Sequence, residues 1–238
     1  MEGFVLAAGL GTRLRPLTND RPKALVEIPV RWKDERGKSG MREVALLEVV
    51  IRRLEEADVE HIVVNVHHFA DKVIAFIGSR RWKAMIDISD ERDLLLDTGG
   101  GLKHAAPLFS GRENILVHNV DILSDIDFAD VERRHNSDGN LVTLCVSRRE
   151  TKRLLEFDNG GCLVGRADKG MAFSGVSMVS PALFPLLPEA NHPYPIIDEY
   201  IRLAHSAYRI GCYEHKADRW LDVGKPETLE QARQWKLS

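Results

Sequence analysis

The chain has 238 residues, which is enough to bury a sizeable core in one large α/β domain or two small ones. Hydrophobic residues make up 44% and charged residues 29%, an ordinary balance that excludes intrinsic disorder and collagen-like structure. The formal net charge of −3 argues against a broad nucleic-acid or membrane surface and leaves room for a local basic pocket.

The cysteines and the N-terminal residues indicate the compartment. There are 3 cysteines, an odd number, without a C-x-x-C pair. Cys145 and Cys212 lie in apolar, strand-like runs, which is typical of buried reduced thiols. The first residues lack a basic segment followed by an apolar run, and no uncharged apolar run approaches membrane-spanning length. We therefore expect a cytoplasmic protein with no nucleic-acid and no membrane partner.

The first 150 residues alternate strands and helices. Phe4–Leu6 reads as a buried strand of a parallel sheet, followed by a loop of small residues at 7–12. The further predicted elements are a helix at 44–57, a strand at 61–66, a helix at 70–77, a strand at 85–88, a helix at 101–108, a strand at 114–120, a helix at 128–135 and a strand at 141–146. This rhythm predicts an α/β fold with a mixed, mostly parallel central sheet flanked by helices.

From residue 154 the pattern becomes richer in strands. Two apolar runs, 154–157 and 161–164, flank Asp158-Asn159-Gly160, which is a strong hairpin signal. The later predicted elements are a strand at 171–179, a short helix from 181, a helix at 197–205, strands at 208–214 and 220–223, and a helix at 226–235. No repeat, low-complexity segment or linker interrupts the chain, so a single domain over 1–238 is the simplest interpretation.

The loop after the first strand has almost no side-chain bulk. Ala8, Gly9, Gly11 and Thr12 let backbone N–H groups approach an anion closely, and glycine reaches the positive φ values that aim them. Arg13, directly after the loop, can fork onto phosphate oxygens. The segment therefore predicts a phosphate-binding loop.

Two other glycine motifs fit less well. A dinucleotide fingerprint needs a third glycine where this chain has Leu14. A P-loop ending at Gly37 would need its leading glycine at the position of Trp32. We interpret the residues around Gly37 as part of a charged loop.

Residues 6–25 resemble the signature of the sugar-1-phosphate nucleotidyltransferases, Leu-Ala-Ala-Gly-x-Gly-Thr-Arg-Leu-x-Pro-Leu-Thr followed by Pro-Lys-x-Leu, at every fixed position. The resemblance implies a Rossmann-like nucleotide-diphospho-sugar transferase fold, with a nucleotide half at about 1–150 and a sugar half at about 151–238. It implies that an NTP and a sugar 1-phosphate give an NDP-sugar and pyrophosphate. Arg13 would neutralise the triphosphate, and Lys23 would bind phosphate near the attacking group.

The resemblance also implies a Mg²⁺ cofactor held by two aspartates. Asp121 ends an apolar run at the carboxyl end of a predicted strand, where α/β sheets bind ligands. The family usually has glycine before this aspartate, and this chain has Val120. Asp222 lies in Trp-Leu-Asp-Val-Gly-Lys-Pro, which is similar to the family's late block. Helix capping is the alternative role for both aspartates, and we favour metal binding because Mg²⁺ needs only one or two carboxylates plus substrate phosphates.

Three glycines in succession, from Gly99, mark a second close-approach loop before a helix. They resemble the Glu-Thr-Gly-Gly-Gly segment of N-acetylmuramate 1-phosphate uridylyltransferases, with Asp97 in place of the glutamate. The resemblance implies that Asp97, Thr98, Gly99 and Gly100 receive the base and ribose.

The sugar side is less well marked. Phe173-Ser174-Gly175-Val176 resembles the family's sugar-side strand, so Ser174 and Gly175 are candidate sugar-binding residues. Glu156 is a further candidate, for which a solvated charge is an equal alternative. Residues 31–40 form a charged insertion relative to the family, which we interpret as a solvated loop, with a lid or a subunit contact as the alternative.

The substrate stays open at this stage. The resemblance to short enzymes without a C-terminal β-helix domain favours UTP and a hexose or N-acetylated amino sugar 1-phosphate. One alternative is cytidylyl transfer to phosphocholine or a similar phospho-alcohol, and another is a catalytically silent regulatory relative. The protein is expected to be a monomer or a homodimer.

Overall fold

The computed structural model describes residues 1–33, 39–216 and 219–234. Its centre is a mixed nine-stranded sheet. The strands of this sheet are β1 (Glu2–Leu6), β4 (His61–Val66), β5 (Met85–Asp90), β6 (Ile115–Asn119), β8 (Val142–Ser147), β9 (Leu154–Phe157), β10 (Leu163–Ala167), β11 (Met171–Val179) and β12 (Ile210–Glu214). The predicted α/β class, with a mixed sheet flanked by helices, is confirmed.

Strand β1 lies between two parallel neighbours. Phe4 is opposite Val63 of β4 on one side and Val117 of β6 on the other. Strand β5 continues the parallel part as the neighbour of β4, whereas β11 runs antiparallel to β6, β8 and β9. The carboxyl ends of β1, β4, β5 and β6 therefore meet at one edge of the sheet, where a parallel sheet binds ligands.

Among the described residues, six α-helices cover the sheet. They are α1 (Leu46–Glu56), α2 (Ala70–Gly78), α3 (Asp97–Ala105), α4 (Phe128–Asp138), α5 (Ile196–His205) and α6 (Pro226–Gln234). Asp127 caps α4, because its side chain accepts a hydrogen bond from the N–H of Asp130. Within the described ranges, no helix is long and apolar enough to cross a membrane.

The core lies on both faces of the sheet because side chains alternate along each strand. Val5 belongs to the cluster that contains residues of α1, α2, α4 and α6, whereas its neighbour Phe4 packs with residues of α3 and α5. Both side chains are completely buried. This alternation holds β1 firmly between two helical layers and fixes where the chain leaves the sheet after Leu6.

The described parts of the region predicted to be a solvated insertion, residues 31–33 and 39–40, lie in the strands of a hairpin. Strand β2 (Glu27–Lys33) pairs antiparallel with β3 (Ser39–Ala45). The helix predicted from residue 44 therefore begins at Leu46, because Val44 and Ala45 complete the hairpin. The tip, residues 34–38, lies outside the described residues.

A small separate sheet joins distant parts of the chain. Strand β7 (Ile122–Ser124) directly follows Asp121, and it pairs antiparallel with β13 (Trp220–Asp222). Asp222 is opposite Ile122 in this register. The pairing brings two aspartates that are far apart in sequence to the same edge of the central sheet.

Candidate active site

A cleft of about 620 Å³ opens at the carboxyl ends of β1, β4, β5 and β6. Both parts of the chain that the sequence predicts to bind a nucleotide contribute to it. The lining residues are Leu6, Ala8, Gly9, Leu10, Gly11, Thr12, Arg13, Lys23, Asn65, Glu91, Leu95, Asp97, Thr98, Asn119, Asp121, Pro193 and Gly224.

Four charged residues predicted from the sequence converge at one end of this cleft. Nζ of Lys23 donates a hydrogen bond of 2.6 Å to Oδ2 of Asp121, and both side chains are largely buried. The N–H of Gly224 donates to Oδ1 of Asp222 over 2.8 Å. A Cβ placed on Gly224 would lie 2.7 Å from Nη2 of Arg13, 2.8 Å from Oδ1 of Asp222 and 3.1 Å from Oδ2 of Asp121. Glycine at this position therefore keeps a space open between two carboxylates and the Arg13 guanidinium, and Lys23 joins the group through its bond with Asp121.

The glycine loop has a defined geometry. Gly11 has a φ of 63°, in the left-handed region that favours glycine. Its carbonyl accepts a hydrogen bond of 2.8 Å from Oγ1 of Thr18. A Cβ on Gly11 would lie 3.0 Å from Cβ of Lys23 and 3.1 Å from Cγ2 of Thr18. The loop therefore turns tightly against the segment that carries Lys23.

A polar residue in β4 holds the start of this loop. Oδ1 of Asn65 accepts hydrogen bonds from the N–H groups of Ala7, over 2.6 Å, and Ala8, over 3.1 Å. The N–H of Ala8 is thus engaged within the protein rather than free for a ligand. Sequence reasoning missed Asn65, although a buried amide in an otherwise apolar parallel strand is a usable signal.

The triple glycine is not a loop, which corrects the sequence-based prediction. Helix α3 begins at Asp97 and includes the glycines in its first turns. A Cβ on Gly99 would lie 2.4 Å from the ring of Tyr194, and the N–H of Gly99 donates to the Tyr194 carbonyl over 2.9 Å. Gly99 and Gly100 are therefore buried for close packing, and Asp97 and Thr98 are the residues of this segment that line the cleft.

Glu91 was also missed, and it lies between the loop and α3. Oε1 of Glu91 accepts a hydrogen bond of 2.7 Å from Nδ2 of Asn65, and Oε2 accepts one of 3.3 Å from the N–H of Leu96. Burial raises the pKa of Glu91, and these two hydrogen bonds oppose that shift only in part. The carboxylate thus lies buried at the wall of the cleft.

The three sugar-side candidates lie in different environments. Gly175 has a φ of 77°, and a Cβ there would lie 2.6 Å from Ile122 and 3.1 Å from Nδ2 of Asn119, a cleft residue. Ser174 is completely buried, and its hydroxyl contacts Nε2 of His215 over 2.8 Å. Glu156 is exposed on β9 and is not among the described residues that line the cleft. Of the three, Gly175 lies nearest to the cleft.

An arginine outside every sequence motif braces the sugar-side strand. Nη1 of Arg149 donates to Oγ of Ser174 over 3.1 Å, and its guanidinium stacks 3.8 Å from the ring of Trp220. Nε1 of Trp220 in turn donates to the Ser174 carbonyl over 2.8 Å. Burial lowers the pKa of Arg149, and the charge of Asp222 opposes this shift. The contacts tie β11 to the strand that ends in Asp222.

The donor set near Gly224 fits a hard divalent cation that also binds substrate. Two carboxylates face a common space, and Mg²⁺ typically takes one or two carboxylates together with phosphate oxygens and water. In the part of the chain that the structure describes, no group of three or more His, Cys, Asp and Glu residues forms a complete protein cage for a metal. The residues present therefore suit a metal shared with phosphates.

Comparison with known proteins identifies the family. The model of the nucleotidyl transferase family matches residues 2–157, which include the glycine loop, Lys23, Asp97 and Asp121. The match covers more than half of the chain, which therefore belongs to the nucleotidyl transferase family and is an enzyme of that class.

Individual relatives agree with this assignment. The chain is 37% identical over 238 aligned residues to the N-acetylmuramate alpha-1-phosphate uridylyltransferase of Caulobacter vibrioides, covering 94% of this chain and 92% of the relative. It is 28% identical to the Neisseria meningitidis protein of the same name, covering 98% and 97%. Among solved structures, HddC from Yersinia pseudotuberculosis complexed with GMP-PN superimposes with a TM-score of 0.75 at 21% identity, covering 98% of each chain. This last likeness shows the fold.

Proposed function

We propose that this enzyme transfers a nucleotidyl group from an NTP to a sugar 1-phosphate and releases pyrophosphate. A phosphate oxygen of the sugar 1-phosphate attacks the α-phosphorus in line, and the bond from the α-phosphorus to the oxygen bridging to the β-phosphate breaks. Positioning and charge stabilisation supply most of the rate enhancement in such a step. The observation that carries the proposal is the convergence of Arg13, Asp121 and Asp222 around Gly224, with Lys23 bonded to Asp121.

The four charged residues have separate roles in this proposal. Arg13, with its planar fork, neutralises the triphosphate and the leaving pyrophosphate. Lys23 binds phosphate near the attacking oxygen, and it exchanges its bond with Asp121 for that contact. Asp121 and Asp222 would hold Mg²⁺, which supplies charge neutralisation between the two reacting phosphates when it is bound.

The backbone contributes the rest of the nucleotide site. The N–H groups of Gly9, Gly11 and Thr12 cradle the phosphates, since that of Ala8 already donates to Asn65. Asp97 and Thr98 border the base and ribose. Gly175 borders the sugar.

The proposed substrates are UTP and an N-acetylated amino sugar 1-phosphate. The support comes from the two relatives of about this chain's length, both named as N-acetylmuramate alpha-1-phosphate uridylyltransferases. Guanylyl transfer is the second candidate, since a Dictyostelium discoideum mannose-1-phosphate guanylyltransferase subunit is 25% identical over 95% of this chain. That relative is longer, with 62% of its length matched.

A pyrophosphate-release assay tests both levels of the proposal. UTP, CTP, GTP, ATP and dTTP are each combined with N-acetylmuramate, N-acetylglucosamine, glucose and mannose 1-phosphates, with and without Mg²⁺. We expect one clear winner, because a wrong base leaves buried polar groups of the site unpaired. A preference for GTP would overturn the uridylyl assignment, and the absence of turnover with every pair would overturn the reaction class.

A further inference from the structure

We infer that Asn65 and Glu91 are positioning residues that hold the glycine loop and helix α3 as one unit, and so set the affinity for the triphosphate. The inference rests on the proposed function. The observation behind it is a continuous path of hydrogen bonds across the carboxyl ends of three strands. It runs from the N–H groups of Ala7 and Ala8 through the Asn65 amide and the Glu91 carboxylate to the N–H of Leu96.

The loop needs such a support because its own side chains cannot provide it. Ala7 and Ala8 have no polar side-chain atoms, and glycine loses more conformational freedom on ordering than any other residue. Oδ1 of Asn65 is 2.6 Å and 3.1 Å from the two alanine nitrogens, so one acceptor fixes two consecutive peptide groups. A cradle that is already ordered binds phosphates without a further entropy cost.

Glu91 holds Asn65 in the orientation that this support requires. Its Oε1 accepts from Nδ2 of Asn65, which leaves Oδ1 of Asn65 directed at the loop. Helix α3 closes against this pair, because a Cβ on Gly101 would lie 2.7 Å from Oε1 of Glu91 and 3.0 Å from Nδ2 of Asn65. The side of the cleft proposed for the base is therefore in contact with the support of the phosphate loop.

A purely structural role is the competing explanation, and the fold offers a matched control. In the amino-terminal halves of the same three strands, Nδ1 of His61 contacts Oε1 of Glu2 over 2.7 Å, and its Nε2 contacts Oδ2 of Asp87 over 3.1 Å. This network also joins β1, β4 and β5, but its residues are not among those that line the cleft. Changes there report stability alone.

The decisive experiment exchanges the amide of Asn65 and the carboxylate of Glu91. In Asn65→Asp, the new carboxylate keeps an acceptor for the loop but faces the Glu91 carboxylate. In the double variant Asn65→Asp with Glu91→Gln, the Gln amide can donate to the new carboxylate while its carbonyl accepts from Leu96, so every hydrogen bond is restored with one donor reversed. Steady-state kinetics and isothermal titration with UTP in the presence of Mg²⁺ are measured for each, with His61→Gln and Asp87→Asn as controls.

We expect Asn65→Asp to raise the KM and the Kd for UTP by at least about 10-fold, because a buried amide–carboxylate bond is replaced by two facing charges. The KM for the sugar 1-phosphate should change by less than about 2-fold, and the double variant should recover most of the loss in UTP affinity. The controls should lower the unfolding temperature and leave both KM values within about 2-fold of wild type.

Gly101→Ala is a second test of the Asn65–Glu91 pair, and it removes no polar group. The added methyl must displace Glu91, whereas Gly78→Ala, at the end of α2, meets no atom within 4 Å and serves as its control. We expect Gly101→Ala to weaken UTP binding in the same direction and Gly78→Ala to have no effect. A rise in both KM values together, a double variant no better than Asn65→Asp, or an unchanged UTP affinity in both Asn65→Asp and Gly101→Ala would overturn the inference. A wild-type chain that neither binds nor turns over any triphosphate would overturn the proposed function as well.

Discussion

Strands β1, β4 and β5 carry a polar network around a buried glutamate at each of their two ends, and only the network at the carboxyl ends borders the cleft. At the amino ends, Glu2 accepts from His61, and from the N–H and hydroxyl of Ser110. At the carboxyl ends, Glu91 accepts from Asn65 and from one N–H at long distance. The first carboxylate has a full set of donors, whereas the second lies at the wall of a cleft.

The pKa values of the two carboxylates differ accordingly. Burial tends to raise the pKa of Glu2, but the hydrogen bonds from His61 and Ser110 outweigh it, and the pKa lies below its ordinary value. Burial dominates at Glu91, whose pKa is raised. The same sheet thus stabilises a charge at one end and tolerates a less stable charge at the end that borders the cleft. This is the pattern expected when a site gives up stability for function.

The largest expected effect is a loss of kcat in a variant at the carboxyl ends of the strands, with no such loss at the amino ends. Asp121→Asn removes a carboxylate of the proposed Mg²⁺ site and should lower kcat by at least about 10²-fold, since a metal supplies several kcal/mol of transition-state stabilisation. Its control is Asp87→Asn, in the amino-terminal half of β5, which should change kcat by less than about 2-fold. Pyrophosphate release is measured on variants whose far-UV circular dichroism matches wild type. Near-normal turnover of folded Asp121→Asn would contradict the metal assignment.

The two cations should differ from each other. Arg13→Lys keeps the charge but loses the planar fork, and we expect about a 10-fold loss of kcat/KM for the triphosphate. Lys23→Met should chiefly raise the KM for the sugar 1-phosphate. Initial rates with each substrate varied in turn measure both. If both variants kept wild-type kcat and KM values, the phosphate-loop proposal would have to be abandoned.

At the amino end we expect a loss of stability without a loss of activity. Glu2→Gln places an amide among donors and should lower the free energy of unfolding by about 1–3 kcal/mol. Urea unfolding at pH 7 measures the loss, and the activity assay at 25 °C should give unchanged KM values. A variant with wild-type stability would show that the Glu2 network contributes little to the fold.

The smallest expected effect is on the pH dependence of stability, which should change in opposite directions when Glu91 or Glu2 is replaced. The raised pKa of Glu91 makes its contribution to stability complete below its ordinary value of 4.5, and this contribution is lost as pH rises through the folded-state value. The lowered pKa of Glu2 makes its contribution present above 4.5 and lost as pH falls through the folded-state value. Relative to wild type, Glu91→Gln should therefore gain stability with rising pH, and Glu2→Gln should lose it. Thermal unfolding from about pH 3 to about pH 8 measures both slopes, and slopes of the same sign would contradict the comparison.

The sequence predicts the parallel half of the fold well because its strands are short apolar runs buried on both faces. The strand at 61–66, which is parallel to both of its neighbours, has the predicted bounds. The start of α3 was wrong, because three glycines indicate a loop by local propensity, whereas tertiary packing against Tyr194 requires their lack of side chains inside a helix. The hairpin β2–β3 was missed, because charged residues at 31–43 hide its alternation.

The candidate site likewise contains residues that the sequence predicts and residues that it does not. Four charged residues were predicted because they follow motifs: Arg13, Lys23, Asp121 and Asp222. The structure brings Arg13, Asp121 and Asp222 together around Gly224 and bonds Lys23 to Asp121. Residues that act through other residues leave almost no local signal. Arg149 contacts Ser174 and stacks on Trp220 only because β8, β11 and β13 meet in space.

The pairing of β7 with β13 has a consequence for biosynthesis. Asp121 is made halfway along the chain, and its partner strand, which ends in Asp222, emerges from the ribosome about a hundred residues later. A nascent chain can thus fold its parallel sheet around the Lys23–Asp121 ion pair and still lack the second carboxylate. We expect catalytic activity to arise abruptly once residue 224 has left the exit tunnel. Shorter chains should not react with the nucleotides of the cell. Ribosome-stalled chains of graded length, assayed for pyrophosphate release, would show this threshold.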